Sequence, residues 1–178
     1  ANWSLKDRYF LSGSVRVDGS SRFGENNRYG LFSSGSLGWV MSDESWLSAI
    51  RRVGDLKLRV SYGETGNQGI ADDFAPLARF GKANYSDEPG ISPTTLANPD
   101  LRWETTREFD VGLDFSMFSG RVGIVADYFR KKTDDLLVLR PITSTSGFTE
   151  IYDNIGNLEN RGWEFQLSTE PIRAARTG

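Results

Sequence analysis

The sequence predicts an all-β chain: an antiparallel, up-and-down segment of a transmembrane β-barrel with about six long strands. Three observations lead there. Apolar and polar residues alternate with a period of two over stretches longer than the ~5–6 residues of an ordinary strand. Short and long connections alternate along the chain, as the two ends of a barrel require. Hydrophobic residues make up only 38% of the 178 residues, while glycine reaches 19 and phenylalanine 11. That mixture suits two-faced strands joined by glycine-rich turns and argues against a helical bundle.

The first predicted strand covers 7–17, where Tyr9, Leu11, Val15 and Val17 alternate with Ser12, Ser14 and Arg16. A second, less regular strand covers 29–42. A third covers 55–65, with Leu56, Leu58, Val60 and Tyr62 set against Lys57, Arg59, Ser61 and Gly63. The cleanest alternation falls in the fourth, 103–117, where Phe109, Val111, Leu113, Phe115 and Met117 interleave with Glu108, Asp110, Gly112, Asp114 and Ser116. A helix would scatter both sets around its axis. The fifth covers 121–138, with Val122, Ile124, Ala126 and Tyr128 on its apolar face. The sixth covers 156–170, where Trp163, Phe165 and Leu167 alternate with Glu164, Gln166 and Ser168.

Ser119-Gly120 predicts a tight hairpin. The linker from Ser42 to Gly54 has room for one helical turn with Asp43 as N-cap. The remaining connections are Asp18–Arg28, Gly66–Arg102 and Arg140–Ile155, of which the second is long. Gly66–Arg102 carries Pro76, Pro89, Pro93 and Pro99. Bacterial barrels have long outer loops and short periplasmic turns, so the strand from Leu5 is expected to run outward and the next inward. No apolar run approaches the ~20 residues of a membrane helix, whereas a barrel strand needs ~10 and hides its apolar residues in alternation.

The composition narrows the chemistry. Without Cys there is no thiolate or disulfide chemistry, and without His the commonest metal ligand and general base is missing. The net charge is −3 with no basic block, so nucleic acid is not an expected partner. Asp72-Asp73 and Asp134-Asp135 are adjacent carboxylates, which point to opposite faces of an extended chain and make poor acid–base pairs. Asp18 to Asn27 lacks the spaced ligands and closing Glu of a calcium loop. Gly63, Gly66 and Gly69 do not form a phosphate loop, and the sequons at Asn2 and Asn84 carry little weight. No catalytic residue, metal site or cofactor is therefore expected. Trp39, Trp46, Trp103, Tyr128 and Trp163 have the chemistry to stack on sugars, although strand ends favour an interfacial girdle. Trp103 is the candidate substrate-binding residue, because it closes a long outer loop.

Five blocks carry a family resemblance: "RVDGSSRFGENNRYGLFSSGSLGWVMSDESWL", "LKLRVSYGETGNQGI", "LANPDLRWETTREFDVGLDF", "RVGIVADYFRKKTDDLL" and "GFTEIYDNIGNLENRGWEFQL". In this order they resemble the SusC/RagA family of TonB-linked outer-membrane transporters, and they cover most of the chain. The resemblance implies a barrel of about 22 strands around an N-terminal plug, in the outer membrane of Bacteroidota-type bacteria. It also implies import of glycans or peptides, energy passed by TonB through the N-terminal region, and a SusD-like surface lipoprotein as lid. On this reading 1–178 is a partial barrel domain, with the plug and the closing strands absent; the chain stops at "PIRAARTG".

If the apolar set faces outer-membrane lipid, then Arg59, Glu108, Asp110, Asp114, Asp127 and Glu164 face the lumen. There they would contact the plug, the plainer reading, or line a solute path. Two other classes compete with an active transporter. A carbohydrate-binding β-sandwich would also alternate, but with shorter strands around a core. A passive outer-membrane barrel or adhesin would share the wall. An enzymatic role has little support without His or a convincing acid pair.

Overall fold

The computed structural model describes residues 1–70, 72–85 and 88–170. Its strands are β1 (Asn2–Leu5), β2 (Tyr9–Gly19), β3 (Tyr29–Val40), β4 (Gly54–Asn67), β5 (Arg79–Tyr85), β6 (Glu88–Thr95), β7 (Glu104–Met117), β8 (Val122–Asp134), β9 (Leu137–Pro141), β10 (Glu150–Asn154) and β11 (Asn157–Thr169). Seven of them form one antiparallel sheet in the order β1-β2-β3-β4-β7-β8-β11. The six long strands pair in sequence order, as the alternation predicts. The long excursion between β4 and β7 folds into the separate hairpin β5–β6, and the one between β8 and β11 into β9–β10.

Register explains why the pattern survives across strands. Leu58 lies opposite Leu113, which lies opposite Ala126, which lies opposite Phe165. A one-residue slip anywhere would send a whole apolar row to the polar face. β7 and β8 are joined through Phe118 to Arg121, where Phe118 and Ser119 take left-handed φ values of 55° and 59° ahead of Gly120 at 84°. The expected hairpin is thus present.

Three local expectations need correction. Residues 121–138 are not one strand: β8 ends at Asp134, Asp135 turns left-handed (φ 59°), and β9 follows. Asp can occupy that region at modest cost, so the chain breaks where the sequence still looks extended. Asp43 is not an N-cap. It lies inside the 3₁₀ turn Met41–Asp43 and pairs with Arg51 at 3.4 Å, and the short helix α1 (Ser48–Arg51) follows a second 3₁₀ turn. The first strand is preceded by β1, separated from it by Lys6 and Asp7 at positive φ. Ser86 of the second sequon and the terminal "PIRAARTG" lie outside the described residues.

Most of the buried apolar core lies outside the strands, Phe32 of β3 excepted. It sits at the loop-rich end of the sheet, where Phe23, Phe32, Ile70, Ala75, Leu101 and Trp103 cluster under the long connections. Asn154 ties these connections together, donating to the carbonyls of Arg102 (2.8 Å) and Asp135 (2.9 Å). Asn98 donates to the Tyr152 carbonyl at 2.8 Å and Asn27 to that of Asp100 at 3.1 Å.

Candidate functional site

The polar face of the sheet is built around one arginine. Arg59 on β4 grips Asp114 on β7 with two bonds of 2.8 Å, from Nε and Nη2. The same Nη2 reaches Asp127 on β8 at 2.9 Å. It can do so because the residue between them in register, Gly112, has no side chain. A Cβ there would lie against Asp127 Oδ1 and within 2.7 Å of Arg59 Nη2. The glycine is a crossing point that lets one guanidinium bind three strands together.

The other predicted members of this face gather beside it. Ser61 donates to Asp110 at 3.3 Å, and Lys131 pairs with Glu108 at 3.6 Å. Glu164 on β11 lies opposite Asp127. Arg59, Glu108, Asp110, Asp127 and Glu164 line one open polar depression of about 420 Å³, and Asp114 joins through Arg59. Sequence reasoning missed Lys131, although it continues the row of Asp127 with the same period of two.

The opposite face is apolar and open. Val15 is 72% exposed, Leu31 67%, Phe165 75% and Leu167 69%. The apolar rows are level across β4, β7, β8 and β11, where Leu58, Leu113, Ala126 and Phe165 are register partners, and drift along the strands from there to β2. Register links Leu113, in mid-row on β7, through Leu58 and Trp39 to Tyr9. The β2 row runs from Leu11 to Val17, so its middle is displaced towards the β2–β3 loop by roughly five residues over three strand steps. Aromatic residues edge the belt. Tyr9 stacks on Trp39, which contacts Trp46, at one edge; Tyr128 packs on Trp163 at 5.1 Å at the other. Beyond Tyr128 and Trp163 the same face carries ion pairs: Arg107 with Glu64 (3.1 Å) and Asp134 (2.7 Å), Lys132 with Asp134 (2.8 Å), and Arg130 with Glu159 (3.0 Å).

At the opposite strand ends, Glu44 accepts bonds from the Tyr9 hydroxyl and the Trp39 indole, which hold its carboxyl below the usual range. This fastens the turn after β3 to the sheet.

Trp103 is not an open stacking platform. It is only 8% exposed, packs on Phe23 (4.7 Å) and edge-on to Phe32 (5.6 Å), and donates its indole N–H to the Arg28 carbonyl at 3.3 Å. That geometry favours packing within the loop cap over ligand contact. The adjacent carboxylates are also split: Asp72 pairs with Arg79, Asp73 with Arg22, Asp134 with Arg107 and Lys132, and Asp135 with Arg102. Among the described residues no cluster of acidic side chains could hold a metal ion. Among the described residues no helix is long and apolar enough to cross a membrane, which says nothing of strands.

An antiparallel sheet with an open apolar belt, aromatic edges and a charged opposite face is the wall of a β-barrel. The chain belongs to the TonB-dependent receptor β-barrel family, whose model, described as "TonB dependent receptor-like, beta-barrel", matches residues 1–175. It is 42% identical over 175 residues to TonB-dependent receptor P39 of Formosa agariphila, covering 98% of this chain and 17% of that protein. It is 42% identical over 180 residues to TonB-dependent receptor SusC of Bacteroides thetaiotaomicron, covering 96% of this chain and 18% of that one. Among solved structures it matches the RagAB peptide importer in its closed-closed state with a TM-score of 0.87 and 33% identity, over 97% of this chain and 19% of the other. The SusC/RagA resemblance of the five sequence blocks is borne out. The chain spans less than a fifth of the length of these relatives.

Proposed function

We propose that the chain forms part of the wall of a TonB-dependent outer-membrane transporter that imports oligomeric nutrients, glycans or peptides. The apolar belt faces lipid, and Arg59, Glu108, Asp110, Asp114, Asp127 and Glu164 face the lumen. In the whole protein an N-terminal plug lies against that polar face, TonB supplies energy through the N-terminal region, and a SusD-like lipoprotein closes the loop-rich mouth. The role is transport and not catalysis. One observation carries the reading: the apolar belt is open and edged with aromatic residues. A β-sandwich would bury that face against a second sheet. The family relationship and the likeness to a peptide importer support the transport half.

The test uses adjacent residues at one depth on opposite faces of β2 in the full-length protein. Val15→Arg is expected to cost about 2–4 kcal/mol and impair barrel assembly, while Ser14→Arg costs much less. Gly112→Arg is unsuitable as the lumen-side control, because its side chain would displace the Arg59–Asp127 bridge. Assembly is read from heat-modifiable electrophoretic migration, and equal tolerance of the two arginines would contradict the orientation. Uptake of the cognate nutrient should cease when TonB is deleted; persistent uptake would make the parent a passive pore.

A further inference from the structure

The ion pairs beyond the belt leave an imbalance at one place. Arg130 on β8 and Arg161 on β11 are direct register partners, so two guanidinium groups stand opposite each other on the same face. Like charges so placed repel unless something anionic lies between or above them. Glu159 engages Arg130 with both carboxylate oxygens, at 3.0 and 3.2 Å. Arg161, on the last described strand, forms no direct ion pair among the described residues. Lys132 lies two residues further along β8, already paired with Asp134, and Arg107 is shared between Asp134 and Glu64.

What lies on the other side of this arginine pair defines the ligand. One register step nearer the belt, Tyr128 faces Trp163 with ring centroids 5.1 Å apart. One step further, small Ala126 sits between Leu113 and Phe165. The result is an apolar notch of about 410 Å³ lined by Val111, Gly112, Leu113, Ala126, Tyr128 and Trp163. Successive same-face side chains are ~6.5 Å apart, so charge, aromatic rim and apolar notch follow one another along a single line. A soluble anion would use only the first of these.

We propose that this line is a binding site for a membrane lipid with a phosphate headgroup: the phosphate bridges Arg130 and Arg161, and one acyl chain lies in the notch below Trp163. Arginine suits the headgroup because its planar fork gives two parallel bonds to phosphate oxygens. The site lies towards the long-loop end of the sheet, which places the lipid in the outer leaflet. Such a lipid would relieve the arginine–arginine repulsion and fix the strand pair β8–β11 in the membrane. The proposal rests on the apolar face lying in lipid. The two fail separately: tolerance of Val15→Arg removes the lipid face, whereas loss of this site alone leaves Val15→Arg damaging.

The experiment is native mass spectrometry of the full-length protein in detergent, titrated with a diacyl phosphatidic acid, with diacylglycerol of the same chains, and with inorganic phosphate as competitor. The wild type should retain one phosphatidic acid and little diacylglycerol. The variant Arg130→Gln/Arg161→Gln should retain it on the order of thirtyfold less well, and Arg161→Gln alone roughly fivefold. The single variant breaks no direct ion pair among the described residues, so it carries the test if the double variant fails to assemble. Equal retention by wild type and Arg161→Gln, or equal retention of diacylglycerol, would overturn the proposal. So would displacement by low-millimolar inorganic phosphate, which would mark a free-anion site.

Discussion

Gly24→Ala should loosen the cap over the mouth while leaving the wall intact. Gly24 has ordinary extended backbone angles (φ −55°, ψ 154°), so conformational freedom is not why glycine stands there. The reason is proximity: its N–H donates to the Leu101 carbonyl at 2.9 Å, and an added Cβ would overlap the Pro99 carbonyl oxygen. The obstacle is backbone on both sides, so no side-chain rotation relieves it. The two segments must separate, which costs the hydrogen bond, about 1 kcal/mol, together with overpacking strain of about 1–3 kcal/mol. Phe23 and Leu101, at 1% and 0% exposure, flank the contact and lose packing with it. A local loss of about 2–4 kcal/mol corresponds to a rise in amide exchange of roughly 30- to 1000-fold, confined to one cooperative region. Hydrogen exchange with mass spectrometry on the full-length protein should show this rise in residues 20–28 and 98–103, with β4, β7 and β8 unchanged. Gly13→Ala is the control, since its Cβ would find only the Ser34 carbonyl oxygen at 3.9 Å. Unchanged exchange in both segments of Gly24→Ala would refute the reasoning.

Gly112→Ala should displace the Arg59–Asp127 bond. Both side chains are partly exposed (43% and 27%), so the loss is about 1 kcal/mol or less, measured as a lower urea midpoint, and Asp127→Asn should not add to it. The Glu44 carboxyl is held below its usual range, so its contribution is complete above the unfolded value of ~4.3 and disappears as pH falls through the folded one. Exchange in residues 41–53 should therefore rise on acidification, and Glu44→Gln should remove that dependence. Trimming the β5–β6 hairpin between Ala83 and Ser92 removes exposed Ile91 (79%) and should spare barrel assembly while reducing nutrient uptake or recovery of the lid lipoprotein. Normal uptake with a normally bound lid would remove the proposed role of the hairpin.

The long strands were legible because each has two faces in different surroundings, and that difference is written in every second residue. Arg107 to Met117 needs no more than its alternation. The loops follow a weaker rule. Gly66–Arg102 reads as irregular because of its four prolines, yet Pro89 and Pro93 sit within β6. A two-stranded hairpin leaves each strand one unpaired edge, where a missing N–H costs nothing. The packing of Trp103 is hidden from the sequence for a related reason. A tryptophan at a loop end resembles a sugar platform until Phe23 and Phe32, distant in sequence, close on it. The signal was present in the phenylalanine and leucine residues scattered through polar loops, which need a core of their own. Gly112 was visible only as an interruption of the polar row, although glycine inside a strand often marks a close approach.

The crossing at Gly112 also separates the polar residues by what they are free to do. Asp114 and Asp127 are both bound to Arg59, across three strands, so moving Arg59 uncovers two negative charges. Glu108 is held by Lys131. Among the described residues Asp110 has a hydroxyl donor from Ser61 at 3.3 Å, and Glu164 stands at the far side of the same depression on the last described strand. Of the predicted polar set, Asp110 and Glu164 are the carboxylates with the fewest bonds among the described residues. Contacts to the arginine triad must compete with bonds already made. The sheet thus joins an ionic clasp to an acidic surface beside it, and complementary partners for this face are those offering hydrogen-bond donors or positive charge.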